Sequence, residues 1–484
     1  MNEKFSLGID LGTTSVKVLA LDLSGNVLAV ANSHHGLDDT SDGVQADPEV
    51  WWSSLLTALS SFELDLADAV AVGFSGNMSS VVLIDGALNP VAPALLLADT
   101  RGTIQLDALE PSLRLRLLQA SGNEPQIVFS ISSLLWWAAA DAATLDRAVA
   151  WVSAKDFLRA RLTGVIATDR TDAYNSLLVT SAGWDTELIA ALGLPVDLFP
   201  PLVDSGTAAG SVTGTAAALT GLSAGIPVAS GSGDVAAALA GMGGLAPTSL
   251  AVSLGTSATL TAGLAPAGER PAFAADSGLT IHPAADGSWF ALGSLLTGGL
   301  ALNWLRSLAG TGPIAAASAV PDPGDQLVFL PYLAGTGSPD FVGEATGTIL
   351  GITPSTTPEQ LVGALLEAIA FDIAGLVENL GTDYERVIIS GGGGRVTAWP
   401  VVFANVLGLP VDVLDEPDLS GVGAAVFGWS ALGSVVEPRA SRREVLPDPA
   451  TASDWEIRRA RYESARRLVL ELTTTLTTEQ KAAK

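Results

Sequence analysis

Three short stretches of this chain set a carboxylate or hydroxyls beside glycine in ways suited to phosphate. The first is Asp10-Leu11-Gly12-Thr13-Thr14, where an acidic residue ends an apolar run and a glycine opens a turn. Gly12 lets the backbone approach an anion closely, and its exposed N–H groups with the Thr13 and Thr14 hydroxyls can donate to phosphate oxygens. Asp10 would then hold Mg²⁺ largely through water, since this ion keeps much of its hydration. The second stretch, Gly255-Thr256-Ser257, is a corner of the same type 243 residues further on. Either corner alone could be an ordinary hairpin. Two of them facing each other across a cleft would clamp one nucleotide.

The third stretch is Gly231-Ser232-Gly233-Asp234, which follows the apolar run Ile226–Ala229 and opens a small-residue helix, Val235–Gly241. An aspartate there can simply cap the helix. It can also be a base that takes a proton from a sugar hydroxyl during phosphoryl transfer, because a helix N-terminus favours the ionised carboxylate. Gly391–Gly394 lies between a strand and a helix, where a backbone can approach a nucleotide. It lacks Gly-x-Gly-x-x-Gly spacing, and no Walker lysine motif occurs, so a structural turn is an equal reading.

The elements that must position these residues come in two similar sets. Phe5–Asp10, Ser15–Asp22 and Val27–Ala31 read as a β-meander with its corner at Leu11–Thr14. A second meander pairs Ser249–Leu254 with Ala258–Ala262. A helix starts at Asp47-Pro48-Glu49, Ala69–Phe74 and Val81–Leu83 read as strands, and Leu145–Leu162 reads as mostly helical. Later come a long helix, Glu359–Leu380, a strand, Val387–Ser390, and a helix through Trp399–Leu407. Asp454–Thr477 reads as a terminal helix whose Arg458, Arg459, Arg461, Arg466 and Arg467 form a solvated face. The repeated corner predicts two similar domains, 1–244 and 245–484, in an α/β chain.

Composition narrows the function classes. The chain has 484 residues, 24 Lys+Arg and 51 Asp+Glu, for a formal charge of −27, which repels nucleic acid. With no cysteine there are no disulfides or Cys-held metals, and three histidines (His34, His35, His282) offer no zinc-hydrolase spacing. Met1–Lys4 leads into no long apolar segment, so no secretory signal is read and a cytoplasmic location is expected. The uncharged runs Ser205–Gly233, Val235–Gly268 and Gly287–Leu305 are each broken by Gly, Ser, Thr or Pro, so no membrane span is expected. The apolar surplus points to a buried subunit interface, and a homodimer is expected.

Gly8-Ile9-Asp10-Leu11-Gly12-Thr13-Thr14-Ser15-Val16-Lys17 resembles the opening of the FGGY carbohydrate kinases, xylulokinases in particular. Further similarities follow in order: Gly73–Met78, Lys155–Gly164, Ala167–Asp172, Gly231–Asp234, Ser253–Ser257, Leu330–Leu333, Gly347–Glu367 and Gly391–Leu409. They cover roughly Leu7 to Gly433. The resemblance implies two actin-like (ribonuclease H-like) ATPase domains with ATP in the interdomain cleft. It implies Asp234 as catalytic base, Asp10 with Asp234 at Mg²⁺, and Gly12, Thr13, Thr14, Gly255, Thr256 and Ser257 at the phosphates. Gly392 and Gly393 would approach the adenosine. Asn77, Met78, Ser79, Asp99, Arg101, Asp234 and Val235 would meet the sugar.

Departures from the xylulokinase pattern bear on the acceptor. The chain has Asn77 where Gln is usual, Ser79-Ser80 for His-Gly, Val235 for Asn and Ala98 for Asn, and Gly335-Thr336-Gly337 for Gly-Glu-Arg. Loss of donors from the pocket should weaken or redirect sugar recognition. The implied activity is ATP-dependent phosphorylation of a primary hydroxyl of a small ketose or polyol, with D-xylulose first. Ribulose, erythritol, glycerol and gluconate are alternatives, as is a non-catalytic sensor of sugar and nucleotide.

Overall fold

The computed structural model describes residues 4–40, 43–273, 277–309, 322, 324, 326–416 and 418–482; Met1–Glu3 of the opening lie outside them. The first sheet grows from β1 (Phe5–Leu11), an apolar heptapeptide buried along its whole length. It pairs antiparallel with β2 (Ser15–Asp22), which pairs with β3 (Val27–His34). On its other edge β1 runs parallel to β4 (Ala69–Gly76), followed outward by β6 (Pro227–Ala229) and β5 (Ala208–Ser211). A two-residue strand, β7 (Ser232–Gly233), pairs with the end of β4 at Ser75 and Gly76. The carboxyl ends of β1, β4 and β7 therefore adjoin.

Local signals define the helices that cover this sheet. Asp47 accepts from Glu49 N and Pro48 occupies the first turn of α1 (Pro48–Ser60), which buries Trp51, Trp52, Leu55 and Leu59. The stretch expected to be mostly helical from Leu145 to Leu162 is so, but a strand interrupts it. It holds a short helix, Ala142–Arg147, a strand, Ala150–Val152, and α2 (Ala154–Thr163). The strand pairs with Val82–Ile84, a distant partner that local propensity cannot report.

The second sheet repeats the plan. β8 (Ser249–Leu254) pairs antiparallel with β9 (Ala258–Ala265) and parallel with β12 (Arg386–Ser390). β10 (Thr280–Pro283), β11 (Trp289–Leu295), β13 (Val411–Leu414) and β14 (Arg442–Val445) complete the order β10-β11-β9-β8-β12-β13-β14. Over it lie α5 (Pro358–Leu380) and α6 (Ala398–Leu407); α3 (Asp234–Gly241) and α4 (Gly299–Ala309) precede them in the chain. Thr357 and Gln360 form a reciprocal capping box on α5, and Gly381 ends it at φ 61°. Among the described residues α5 is the helix long and apolar enough to cross a membrane, but 72% of its apolar window is buried inside the fold.

One helix from the second half joins the two sheets. α7 (Leu419–Ala431) packs against β1, β4 and α3 through small residues. A methyl at Gly8 would lie 2.8 Å from Ala425 N, and one at Gly73 2.8 Å from Gly428 N. Trp429 Nε1 donates to the Leu21 carbonyl at 2.9 Å. The final helix, α8 (Ala452–Ala482), corrects the solvated reading: Trp455, Tyr462 and Leu470 enter the second core. Its arginines pair with that domain, Arg458 with Glu367 at 2.6 Å and Arg459 with Glu378 at 2.6 Å. Gly73→Ala should cost roughly 3 kcal/mol, because helix backbone cannot yield as a side chain does; urea unfolding measures it.

Candidate active site

A cleft of about 290 Å³ lies between the two sheets. Asp10, Lys17, Asp234 and Val235 line one wall; Ser253, Thr259, Thr261, Ser390 and Gly391 line the other. Asp418, the residue before α7, closes one end with Ser420. The strands that carry the two hydroxyl corners are thus the strands that line the cleft. Thr13 and Thr14 are exposed at the end of β1, and Gly255, Thr256 and Ser257 at the end of β8. The corners differ by one residue: Leu11 pairs with Val16, but Leu254 with Ala258. The carbonyls of Gly255 and Thr256 accept from the N–H groups of Gly299 and Leu300, so the start of α4 braces the second corner.

Asp10 stands opposite Lys17 on β2 and opposite Ser75 on β4. It is buried, and its Oδ1 has no hydrogen-bond partner. Burial, then the Asp418 carboxylate, with a smaller contribution from Asp234, raises its pKa. Asp418 caps α7 by accepting from Gly421 N at 3.1 Å, and its Oδ2 lies 3.4 Å from Lys17 Nζ. Four carboxylates, Asp10, Asp234, Glu416 and Asp418, thus share the cleft with Lys17. Among the described residues no three such side chains converge closely enough to ligate a metal unaided. An orphaned buried oxygen on Asp10 beside two like charges fits a hydrated divalent cation, held through water and a ligand's own oxygens.

Asp234 is the first residue of α3, and Gly233 takes the capping position. The capping reading of Asp234 is therefore corrected. Its half-buried carboxylate accepts from Val235 N at 2.8 Å, and Ser420 Oγ donates to its carbonyl. Burial pushes its pKa up to about 6, against the pull of the Val235 N–H and its own. Of the sugar-side candidates Asn77 and Met78, neither lines the cleft: Met78 packs on Gly233, the residue before Asp234, and Asn77 is tied to the end of β1. Asn77 N and Nδ2 both donate to the Leu11 carbonyl, at 2.9 and 3.3 Å. A methyl at Gly233 would lie 2.9 Å from Met78 Cγ. Ser79 is buried and holds φ 63°.

Asp99 and Arg101 stand apart from the cleft lining and satisfy each other. Arg101 Nη2 and Nε donate to Asp99 Oδ2 at 2.7 and 2.9 Å, and the guanidinium lies 4.7 Å from the Trp136 ring centre. The two adenosine-side glycines also separate. Gly393 is buried where a methyl would strike Leu254 and Trp399, whereas Gly392 faces open space. Sequence reasoning missed Lys17 and Asp418. A lysine within the apolar strand Ser15–Asp22 was a signal for the first; only the fold brings the second to the cleft.

Family comparison agrees with this geometry. The N-terminal domain profile of the FGGY family of carbohydrate kinases matches residues 5–241, and its C-terminal domain profile matches residues 250–432. The chain belongs to the FGGY family of carbohydrate kinases. It is 32% identical to a xylulose kinase of Streptomyces coelicolor, over 87% of this chain and 86% of that one. It superposes on a xyloylose kinase from Brucella ovis with a TM-score of 0.86 at 28% identity, covering 96% and 99% of the two chains. A gluconate kinase from Lactobacillus acidophilus shares the fold, with a TM-score of 0.83 at 20% identity over 97% and 98%. This FGGY kinase is thus an enzyme of two α/β domains.

The raised pKa of Asp234 gives two expectations. If Asp234 must be unprotonated to work, kcat/KM should fall nearly tenfold per unit as pH drops below about 6, which a pH-rate profile reads. The native carboxyl binds its proton more tightly than the unfolded one, so its stabilising effect is full below 3.8 and fades as pH rises through about 6. Asp234→Asn should therefore gain stability over the parent at pH 8, by at most about 3 kcal/mol, and gain none at pH 3. Thermal unfolding at both pH values decides it.

Proposed function

We propose that this enzyme transfers the γ-phosphoryl group of ATP to the primary hydroxyl of a small ketose. Xylulose is the sugar in its relatives' names, and D-xylulose is the proposed acceptor, giving D-xylulose 5-phosphate and ADP. Asp234 carries the reading: a carboxylate in the wall of the cleft, on the turn that packs against Met78, with a pKa raised to about 6. It takes the hydroxyl proton as the acceptor oxygen attacks phosphorus. The new O–P bond forms as the bond from the γ-phosphorus to the β–γ bridging oxygen breaks, and ADP leaves with that oxygen. Asp234 need not be a strong base, because positioning and charge neutralisation supply most of the catalysis.

Asp10, with Asp234 nearby, would hold Mg²⁺ through water, and the ion would neutralise charge on the phosphates. The exposed corners Gly12–Thr14 and Gly255–Ser257 would donate N–H and O–H groups to the phosphate oxygens. Gly392 would meet the adenosine with its open face, and Gly393 would shape that surface from below through Leu254 and Trp399. ATP as donor puts the reaction in the cytoplasm. Exposed Leu468, Leu472 and Leu476, spaced along one face of α8, support a homodimer.

The pairing of Arg101 with Asp99 favours a neutral acceptor over a sugar acid. A carboxylate on the substrate would have to displace an aspartate already bound at 2.7 Å. Assay of ADP release against D-xylulose, D-ribulose, erythritol, glycerol and gluconate should find D-xylulose fastest and gluconate slowest. Asp234→Asn should lower turnover at least about 100-fold. Asp10→Asn should raise the Mg²⁺ needed for half-maximal rate roughly tenfold. No turnover on the panel, or full activity in Asp234→Asn, sinks the reading.

A further inference from the structure

Two of the sequence motifs, Lys155–Gly164 and Ala167–Asp172, give no side chain to the cleft lining, yet they build a wholly buried ion cluster behind it. Lys155 Nζ lies 2.9 Å from Asp156 Oδ1, 3.0 Å from Asp169 Oδ1 and 3.5 Å from Asp172 Oδ2. Arg159 Nη2 lies 3.1 Å from Asp156 Oδ1, and no side chain in the cluster is more than 2% exposed. Such a cluster stabilises a fold less than apolar packing of the same volume would. Its position calls for a reason beyond stability.

A chain of hydrogen bonds leads from this cluster to the catalytic turn. Gly233 N, the residue before Asp234, donates to Thr171 Oγ1 at 3.1 Å. Thr171 Oγ1 donates its one proton to Asp169 Oδ2 at 2.6 Å, which leaves a lone pair for Gly233. Ser205 Oγ and Thr171 N hold the same Asp169 oxygen, at 3.0 and 2.8 Å. Lys155 fixes the other oxygen. The cluster also backs the loop beside the base. A methyl at Gly76 would lie 2.9 Å from Lys155 Cβ, and Ala154 N donates to Ser80 Oγ at 2.8 Å.

We propose that Thr171 is a positioning residue for Asp234, its hydroxyl oriented by Asp169 and, through Asp169, by Lys155. The inference rests on Asp234 being the base. It assigns the buried motifs the task of fixing where the base stands relative to the Asn77–Ser80 loop.

The test compares Thr171→Val, Thr171→Ser and Asp234→Asn in the full chain, on the acceptor of the panel that turns over fastest. Thr171→Val keeps the shape but loses both hydrogen bonds. Its kcat should fall at least tenfold, while KM for acceptor, KM for ATP and Tm stay near the parent values. Thr171→Ser should recover kcat to within threefold of the parent. A role in folding alone would lower Tm and raise both KM values without this split. A Thr171→Val kcat within threefold of the parent, or Thr171→Ser as impaired as Thr171→Val, overturns the proposal. If Thr171→Val does not fold, Ser205→Ala, which strips one donor from the same Asp169 oxygen, decides. A kcat at least threefold lower at constant KM supports the proposal, and an unchanged kcat overturns it. Activity retained in Asp234→Asn removes the base itself and the proposal with it. Loss in Asp234→Asn beside a near-parental Thr171→Val removes only the positioning role.

Discussion

The cleft exists because the backbone of one helix touches the backbone of another domain's sheet. α7 follows β13 of the second domain but lies on β1 and β4 of the first, and it crosses α3 at equally short range. A methyl at Gly241 would lie 2.9 Å from the Leu419 carbonyl carbon, and one at Gly423 2.6 Å from that of Ala237. Side chains larger than hydrogen would separate these elements. Two consequences follow from so close a crossing. The N-termini of α3 and α7 come to the same cavity, and each brings its aspartate, Asp234 and Asp418. The helix bearing Asp234 is also packed against both halves of the molecule, so its first turn is set by the joint rather than by one domain.

Electrostatics in the cleft run against stability. Asp10 and Asp234 are both held above the ordinary carboxylate range, mainly by burial. A fold selected for stability alone would fill such positions with apolar groups or pair each charge. Here Lys17 pairs with Asp418 while an oxygen of Asp10 stays without a partner. A cationic partner that arrives with the nucleotide would relieve that imbalance and raise the stability of the loaded enzyme by mass action. Buried aspartates are tolerated differently behind the cleft, where Lys155 and Arg159 stand among Asp156, Asp169 and Asp172. There each carboxylate lies within 3.5 Å of a cation, and their work is geometric.

What could be read from the sequence was what short-range physics decides. The mostly apolar run Phe5–Leu11, the glycine corner after it and the Asp47-Pro48 start of α1 each carry their signal within a few residues. The recurrence of the corner at Gly255 exposed the duplicated plan, later visible as two antiparallel pairs each flanked by a parallel strand. Ala150–Val152 was hidden because its strand character comes from Val82–Ile84, remote in sequence. The arginines of α8 were hidden because their partners, Glu367, Glu378 and Asp372, sit on α5. Asp418 and Thr171 were hidden for the same reason. A residue that acts by where it is brought leaves little trace in its neighbours along the chain.

The same distinction governs the acceptor. Phosphoryl transfer asks for a carboxylate, donors to the phosphates and charge neutralisation, and the fold alone does not name the acceptor, since a relative named for gluconate shares it. Selectivity lies with side chains whose replacement leaves the fold intact. Val235 lines the cleft beside Asp234 with a methyl surface that accepts no hydrogen bond, and Ser79 is withdrawn into the protein. Under the proposed function, an acceptor held there would gain its orientation from the strand-end backbone and shape, with fewer polar contacts to enforce it. Such a site should discriminate by length and charge more sharply than by the configuration of single hydroxyls, because an unmatched hydroxyl next to a methyl group costs less than a buried donor left unpaired.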